Sequence, residues 1–262
     1  MSELVERSGI DVRRVLEPSR IAELAPRDVL LVTDFDGTLS EVVSNPAQAT
    51  IHPASEAALR RLTRALRHVA VLSSRSRRDL ETKVPIDGIE LIGDSGLGDM
   101  SSDERRRLEM FNVEAGRVLA DIPGVWLETK PAGTAIHHRH AQVHPAEILR
   151  RIGPAVRETG LHVHGGRRVI EVVPRERPKG DALAGLIVRV GPAGVICVGD
   201  DENDRPMFDY VNALARPHLT VGVASDEASA DLFADCDLVV SGPEEAADLF
   251  TSLADWAAEP AG

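Results

Sequence analysis

The sequence predicts an α/β fold, in which a doubly wound parallel sheet is interrupted by an inserted α+β unit. Two observations carry this prediction. Short β-branched runs that are apolar throughout alternate with helical patterns, and the middle of the chain is more charged, with strands that partly alternate. Continuous apolar runs are typical of strands buried on both faces of a parallel sheet. Strands that alternate with helices favour a layered α/β architecture.

Each predicted core strand is an apolar run of about five residues, the usual strand length. These runs are Val29–Thr33, Val69–Ser73, Val195–Gly199 and Leu219–Val223. Helical patterns occupy Pro53–Arg67, Lys179–Val190, Asp226–Ala234 and Pro243–Trp256. In the first of these a proline opens the helix, and leucines three and four positions apart form one apolar stripe.

The inserted unit is expected at residues 98–176, between core segments 1–97 and 177–262. Its helical patterns are Ser102–Leu119 and Pro145–Glu158, and its strand-like runs are Val125–Thr129, Gly133–His138 and Arg168–Val173. Helices set against such strands indicate an α+β unit. Gly96–Gly98 and Pro174–Pro178 are the expected hinges, because glycine and proline mark changes of chain direction.

The charge balance argues against several classes of partner. The chain has 262 residues and a net charge of −12, with 43% hydrophobic and 27% charged residues. This composition is ordinary for a globular protein, but a binder of nucleic acid or anionic membrane would need a basic face. Aromatic residues make up only 3%, so platforms for stacking bases are not expected. The acidity is concentrated after residue 196, where 15 acidic residues stand beside 2 arginines. The first 196 residues are therefore nearly neutral in charge, so they are compatible with the binding of a small anion.

The sequence also carries expectations about the protein's setting. The first residues are charged throughout, and no apolar run approaches the roughly 18 residues that span a bilayer. We therefore expect a cytoplasmic protein. We also expect a monomer. Cys197 and Cys236 are too few for a disulfide framework, and their apolar surroundings predict buried, reduced thiols.

Two acidic motifs directly follow predicted strands. Asp34 and Asp36 end the first strand and precede Gly37, and a Gly-Asp-Asp-Glu-Asn-Asp run begins at Gly199. Ligands of open α/β sheets bind at the carboxyl ends of strands, so the two motifs should meet. Carboxylates this close repel unless a hard cation such as Mg²⁺ lies between them. Taken singly, the first motif could be a capping turn and the second a helix N-cap cluster.

Two further residues suit an anion. Ser73 follows the second strand beside a helix N-terminus, where phosphate binds readily. Lys179 follows Pro178 and opens a helix. A single lysine is more often a solvated surface residue, so this signal is weak by itself.

The order of these motifs resembles the haloacid dehalogenase (HAD) superfamily of phosphatases, which implies an HAD-like Rossmannoid core with a cap. Several details are similar to the trehalose-6-phosphate phosphatase family. They are the Asp34–Leu39 run with Pro46, Ser73-x-Arg75, Glu128-Thr-Lys130, the His137–Arg139 run, the Arg168–Pro174 run, Lys179-Gly180 and the Gly199–Asp204 run with Met207-Phe208. The resemblance covers nearly the whole chain.

The resemblance implies a Mg²⁺-dependent phosphatase that acts on trehalose 6-phosphate. Asp34 would be the nucleophile, and Asp36 the general acid and base. Asp34, the backbone carbonyl of Asp36 and Asp200 would hold Mg²⁺, while Ser73 and Lys179 would hold phosphate. The groups expected to orient these ligands or to hold the lysine are Asp201, Asp204 and Thr38.

The family's cap residues bind the sugar, and this chain has charged or imidazole side chains at the matching positions. They are Lys130, His137 and Glu171, with Arg75 and Arg139 near the entrance. The alternative is that they form salt bridges on the surface of an amphipathic sheet. A zinc site at His137, His138 and His140 is not expected, because these spacings on a strand do not converge on a metal.

The sequence departs from the family where Gly-Ser-His-Gly-x-Glu is usual. Here the run is Gly93–Gly98, so Ser95 replaces the histidine and Gly98 replaces a carboxylate thought to bind the disaccharide. Asn203 and Arg205 also replace the usual threonine and glutamate. The sugar therefore stays open between trehalose, a pseudo-disaccharide of an aminocyclitol pathway and another sugar. A non-catalytic sugar-phosphate-binding module is the alternative from a different class.

Overall fold

The computed structural model describes residues 12–98, 100–166, 168–176, 178–225 and 230–259. Their α-helices are α1 Val12–Ser19, α2 Pro53–Ala65, α3 Arg77–Lys83, α4 Ser102–Leu119, α5 Pro145–Thr159, α6 Pro178–Val190, α7 Arg205–Asn212 and α8 Gly242–Ala258. Their strands are β1 Val29–Thr33, β2 His68–Leu72, β3 Glu90–Ile92, β4 Trp126–Lys130, β5 Gly133–His137, β6 His162–Gly166, β7 Val169–Val173, β8 Gly194–Gly199, β9 His218–Ala224 and β10 Leu238–Ser241.

Six parallel strands form the core sheet in the order β10-β9-β8-β1-β2-β3. All five residues of β1 are buried, because alternate side chains enter two different apolar layers. Leu31 packs in the layer that contains Leu59 of α2 and Phe250 of α8. Leu30 packs in the opposite layer with Leu183 of α6 and Phe208 of α7. The predicted α/β fold with a doubly wound parallel sheet is confirmed.

A second sheet of four antiparallel strands has the order β4-β5-β7-β6. Phe111 of α4 and Ile152 of α5 pack against Ile136 and Val172 of this sheet. The two helices therefore cover one face and leave the other face to the core. These elements lie inside the predicted insert at residues 98–176.

Several elements differ from the sequence-based expectation. β3, β6 and β10 were not among the predicted strands; β6 reads His-Val-His-Gly-Gly and has no apolar signature. Residues 226–229 of the predicted Asp226–Ala234 helix lie outside the described residues, and Ala230–Phe233 is a short 3-10 helix. All three are edge strands: β3 and β10 form the two edges of the core sheet, and β6 forms one edge of the second sheet. Edge strands are often short and half-exposed, so their apolar pattern is weak.

The two cysteines differ in burial. Cys197 is fully buried in β8, as predicted, but Cys236 is half-buried, so the prediction for it was wrong. Cys236 lies in the turn before β10, where the chain has left the sheet interior. Across the described ranges, every helix is too short or too polar to cross a bilayer.

Candidate active site

The first acidic motif leaves the sheet at the end of β1. The Asp34 backbone N–H donates to Val198 of β8 at 2.9 Å, so Asp34 is still tied to the sheet, and its side chain is buried. Gly37 has a φ of 77°, and its N–H donates to the Ser40 carbonyl at 2.7 Å. A left-handed residue at this point favours glycine, and it turns the chain away from the sheet. Asp34 is therefore left at the carboxyl end of β1, and Asp36 follows it in the turn.

The second acidic motif is folded around Asp204. One oxygen, Oδ2, accepts the backbone N–H groups of Asp200 at 2.9 Å and Asp201 at 3.1 Å. A Cβ atom on Gly199 would lie 2.7 Å from this carboxylate. Glycine at position 199 therefore allows Asp204 to reach back under the strand end and hold Asp200 in place.

Lys179 joins the two acidic motifs. Its Nζ atom lies 2.6 Å from Asp204 Oδ1 and 3.0 Å from Asp34 Oδ1, and its side chain is fully buried. Burial alone lowers the pKa of Lys179, but the carboxylates of Asp204 and Asp34 outweigh it and raise the pKa above its usual value. A Cβ on Gly180 would lie 2.8 Å from the Pro206 carbonyl, so the glycine lets α6 approach α7 closely. Lys179 is thus a charged ammonium next to the Asp34 carboxylate.

The acidic side chains suit a hard divalent cation. Asp34, Asp200 and Asp204 each place one carboxylate oxygen within 4.8 Å of the others, and all three are buried. Asp204 already binds Lys179 and two backbone N–H groups, which leaves Asp34 and Asp200 as the better ligands. Burial raises the pKa of Asp34 above its usual range, and the charge of Asp204 adds to the rise. Repulsion of this kind is relieved by a cation.

Thr38 and Ser73 lie beside these groups. The Thr38 hydroxyl is 3.5 Å from Asp200 Oδ1, a distance at the limit of a hydrogen bond. Ser73 follows β2, is buried, and its hydroxyl oxygen accepts the backbone N–H of Arg75 at 3.3 Å. Its own hydroxyl proton remains available to an anion at this strand end.

Arg75 lies deeper than the sequence indicates. Its guanidinium donates to both carboxylate oxygens of Asp36 at 2.7 Å, and to Asp79 at 2.5 Å. The same group lies over the Phe35 ring, 5.3 Å from its centroid. Only 10% of the Arg75 side chain is exposed. Arg75 is therefore a fixed partner of Asp36, in a bidentate geometry that sets the orientation of this carboxylate.

The open face of the second sheet carries a row of polar side chains. Lys130 Nζ lies 2.9 Å from Glu171 Oε1 and donates to the Ser74 carbonyl at 3.4 Å, which joins the two sheets. His137 Nε2 lies 2.8 Å from Glu128 Oε2. The predicted Lys130, His137 and Glu171 thus meet on one face. The ion pair between Lys130 and Glu171 agrees with the alternative of salt bridges on an amphipathic sheet, although both side chains are largely buried.

A cavity of about 560 Å³ lies between the two sheets, a size typical of small-molecule sites. The predicted residues that line it are Asp34, Asp36, Arg75, Lys130, His137, Arg139, Glu171, Asp200 and Asp201. The predicted residues that lie behind its wall are Thr38, Ser73, Lys179 and Asp204. The structure therefore brings all thirteen into one region, in two layers.

Sequence reasoning missed several lining residues. They include Ser74, Asp79, Trp126, Glu128 and Arg168. For two of them a signal was present. Side chains alternate along a strand, so Trp126, Glu128 and Lys130 share one face of β4. A lysine assigned to the site therefore implied its two neighbours on that face.

Two mycobacterial trehalose-phosphate phosphatases are similar to this chain in sequence. A trehalose-phosphate phosphatase of Mycobacterium avium is 33% identical over 254 residues, which cover 88% of this chain and 63% of that protein. One from Mycobacterium marinum is 35% identical over 223 residues, which cover 77% of this chain and 56% of that protein. The chain thus spans less than two thirds of the length of these relatives.

The fold has close structural counterparts as well. The C-terminal domain of the C. albicans trehalose-6-phosphate phosphatase superposes with a TM-score of 0.77 at 19% identity. The match covers 94% of this chain and 98% of that domain. The family model for trehalose-phosphatase matches residues 32–237, from the strand before Asp34 to the segment beyond Asp204. By its sequence, this chain belongs to the trehalose-phosphatase family.

Proposed function

We propose that this protein is a Mg²⁺-dependent phosphatase that hydrolyses trehalose 6-phosphate to trehalose and phosphate. The observation that carries the proposal is the buried Asp34 carboxylate at the cavity floor, with the Lys179 ammonium 3.0 Å away and Asp36 at the wall. A carboxylate held beside a fixed positive charge can attack phosphorus without losing its position.

In the first step an Asp34 oxygen attacks the phosphorus atom. The bond between phosphorus and the sugar oxygen breaks, and its electron pair goes to that oxygen. The Asp36 carboxyl gives the oxygen a proton, which releases the sugar and leaves an aspartyl-phosphate. In this structure Arg75 donates to both Asp36 oxygens at 2.7 Å, so one of these contacts would have to open before Asp36 can carry a proton and give it to the sugar oxygen.

In the second step the ionised Asp36 takes a proton from water. The water oxygen attacks phosphorus, the bond between phosphorus and Asp34 breaks, and the Asp34 carboxylate is restored as phosphate leaves. Lys179 and Ser73 would balance the charge on the phosphate oxygens in both steps. Asp204 contributes indirectly, because it holds Lys179 at 2.6 Å.

The acidic residues fit Mg²⁺ by their chemistry, since hard cations prefer carboxylate and carbonyl oxygens. Asp34, Asp200 and the backbone carbonyl of Asp36 would hold the ion. When bound, it supplies positive charge that reduces the repulsion between a carboxylate and a phosphate dianion.

We further propose that residues 98–176 act as a cap domain that selects the sugar. Lys130, Glu128 and Glu171 offer donors and acceptors for hydroxyl groups on the cavity side of this unit. The core then supplies the phosphate chemistry and the cap supplies the specificity. A sugar phosphate would be the partner. The monomeric state and the cytoplasmic location stay predictions.

A second candidate substrate is a pseudo-disaccharide phosphate. Gly98 replaces the family's carboxylate, and an added Cβ at this position meets no atom within 4 Å. Gly98 is exposed, and this chain therefore offers no carboxylate at the position where the family places one. A charge-assisted contact is worth about 1.5–3 kcal/mol, so its loss is large enough to change which ring is preferred.

The test is phosphate release from four substrates with and without Mg²⁺. They are trehalose 6-phosphate, glucose 6-phosphate, a pseudo-disaccharide phosphate and p-nitrophenyl phosphate. We expect Mg²⁺-dependent release, with trehalose 6-phosphate preferred, and no measurable turnover in the Asp34→Asn variant. Asp209→Asn is the matched control, because Asp209 is an exposed residue of α7. Release without any divalent metal, or turnover by Asp34→Asn, contradicts the mechanism; preference for another sugar contradicts only the substrate.

A further inference from the structure

Trp126 is an exposed aromatic residue in a chain that has few aromatic residues. Its relative exposure is 49%, whereas Trp256, the other tryptophan, is 9% exposed. Trp126 lines the cavity between the two sheets, among charged and polar side chains. The indole is therefore accessible to a ligand in this cavity.

The Trp126 ring is held in one orientation. It stacks on the His137 ring with the centroids 3.8 Å apart and the planes 7° from parallel. The two residues face each other in the register of β4 and β5, and His137 Nε2 is fixed by Glu128 Oε2 at 2.8 Å. His137 therefore covers one face of the indole. Because the ring is already ordered, a ligand that binds its open face would cost little side-chain rotamer entropy.

Trp126 and Lys130 lie at opposite ends of β4, farther apart than the length of one sugar ring. Lys130, at the other end of β4, touches the core through the Ser74 carbonyl at 3.4 Å. Trp126 lies four residues further along an extended strand, which amounts to about 13 Å at 3.3 Å per residue. That length exceeds a single pyranose ring. A sugar bound near Lys130 would need a second ring to contact Trp126.

The chemistry of this end of the cavity matches a sugar ring. A pyranose has a face of C–H groups and an edge of hydroxyl groups. The indole offers apolar area for the first, and Glu128 and Arg139 offer polar groups for the second. A phosphate group has no face of C–H groups for the indole to contact. The aromatic ring therefore favours the recognition of carbohydrate at this end of the cavity.

We propose that Trp126, braced by His137, is the platform for the sugar ring farthest from the phosphate, and that the site therefore prefers disaccharide phosphates to hexose phosphates. This inference rests on the proposed phosphatase function. It assigns the choice between one ring and two to a residue that touches no reacting atom. Removal of the platform should weaken binding and leave the chemical step alone.

The kinetic test compares Trp126→Ala and Trp126→Phe with the wild-type protein. Substrates are trehalose 6-phosphate, glucose 6-phosphate and acetyl phosphate, which has no ring. We expect Trp126→Ala to raise KM for trehalose 6-phosphate about five- to twentyfold with kcat nearly unchanged, and to change the other two substrates less than twofold. Trp126→Phe should recover most of the loss, because it keeps an aromatic face. Leu149→Ala, an exposed position of α5, controls for general effects on the cap.

An equilibrium measurement separates this inference from the proposed function. Trehalose should change the tryptophan fluorescence of the wild-type protein and of Trp256→Phe, but not that of Trp126→Phe. An equal loss on all three substrates, or no loss on any, overturns the platform while the phosphatase function stands. If the wild-type protein releases phosphate from no sugar phosphate, the proposed function fails, and the fluorescence titration alone decides whether Trp126 binds sugar.

Discussion

The Lys179 ammonium lies 2.6 Å from the Asp204 carboxylate, and both side chains are fully buried. The two residues come from different elements, the first turn of α6 and the turn that follows β8. The other oxygen of Asp204 accepts the backbone N–H of Asp200 at 2.9 Å. The Asp204 carboxylate therefore holds Lys179 beside Asp34 with one oxygen. With the other oxygen it holds the backbone of Asp200, the proposed metal ligand.

Asp204→Asn should lower both stability and turnover. Removal of one partner from a buried ion pair leaves the other charge poorly compensated, which costs about 2–4 kcal/mol here because Asp34 still lies near Lys179. Urea unfolding measures the loss, and phosphate release should fall at least about tenfold. Asp209→Asn removes the same charge from an exposed site and should leave both quantities unchanged. Wild-type stability and turnover in Asp204→Asn together refute this role.

Gly199→Ala should displace the Asp204 carboxylate, because the new Cβ would lie 2.7 Å from it. Real Cβ atoms do not approach so closely, and overpacking of this kind costs about 1–3 kcal/mol. We expect a lower melting temperature and slower phosphate release. Gly165→Ala is the matched control, since an added Cβ there meets no atom within 4 Å. If the two variants behave alike, close packing at Gly199 is not what positions Asp204.

Mg²⁺ should stabilise the folded protein through Asp200. An ion that binds only the native state adds about 2.7 kcal/mol at a concentration one hundred times its Kd, so the melting temperature should rise with added MgCl₂. Asp200→Asn should lose this rise, because it removes one of the buried carboxylates that suit the cation. Asp209→Asn should keep it. A rise of equal size in both variants shows that the ion binds elsewhere.

Cys236 should react slowly with alkylating reagents. Burial raises the pKa of its thiol to about 12, and the charges of Asp237 and Asp235 add to the rise. Only the thiolate is the nucleophile, so the rate should increase about tenfold per pH unit between about pH 8 and pH 10 without a plateau. Mass spectrometry of iodoacetamide-treated protein measures the rate, with Cys236→Ser as the control. A rate that levels off below about pH 9 contradicts the raised pKa.

Much of the core could be predicted because its signals are local. The Val29–Thr33 strand has the predicted bounds, since a strand buried on both faces must be apolar at every position. The acidic motifs could be placed together because the carboxyl ends of parallel strands share one edge. β6 has no such signal: its pairing with β7 is a long-range backbone contact, and two glycines and two histidines satisfy it.

The sequence by itself determined the α/β class, the order of the motifs and the family, because buried strands and strand-end carboxylates leave a local pattern. Only the tertiary structure decided which side chains meet. It placed Arg75 on Asp36 across 39 positions and Lys179 on Asp204 across 25. It also left Trp126 open at the cavity, against His137. The physical reason is that such pairs depend on the packing of whole elements against each other, whereas a pattern along the chain reports only the face on which each residue lies.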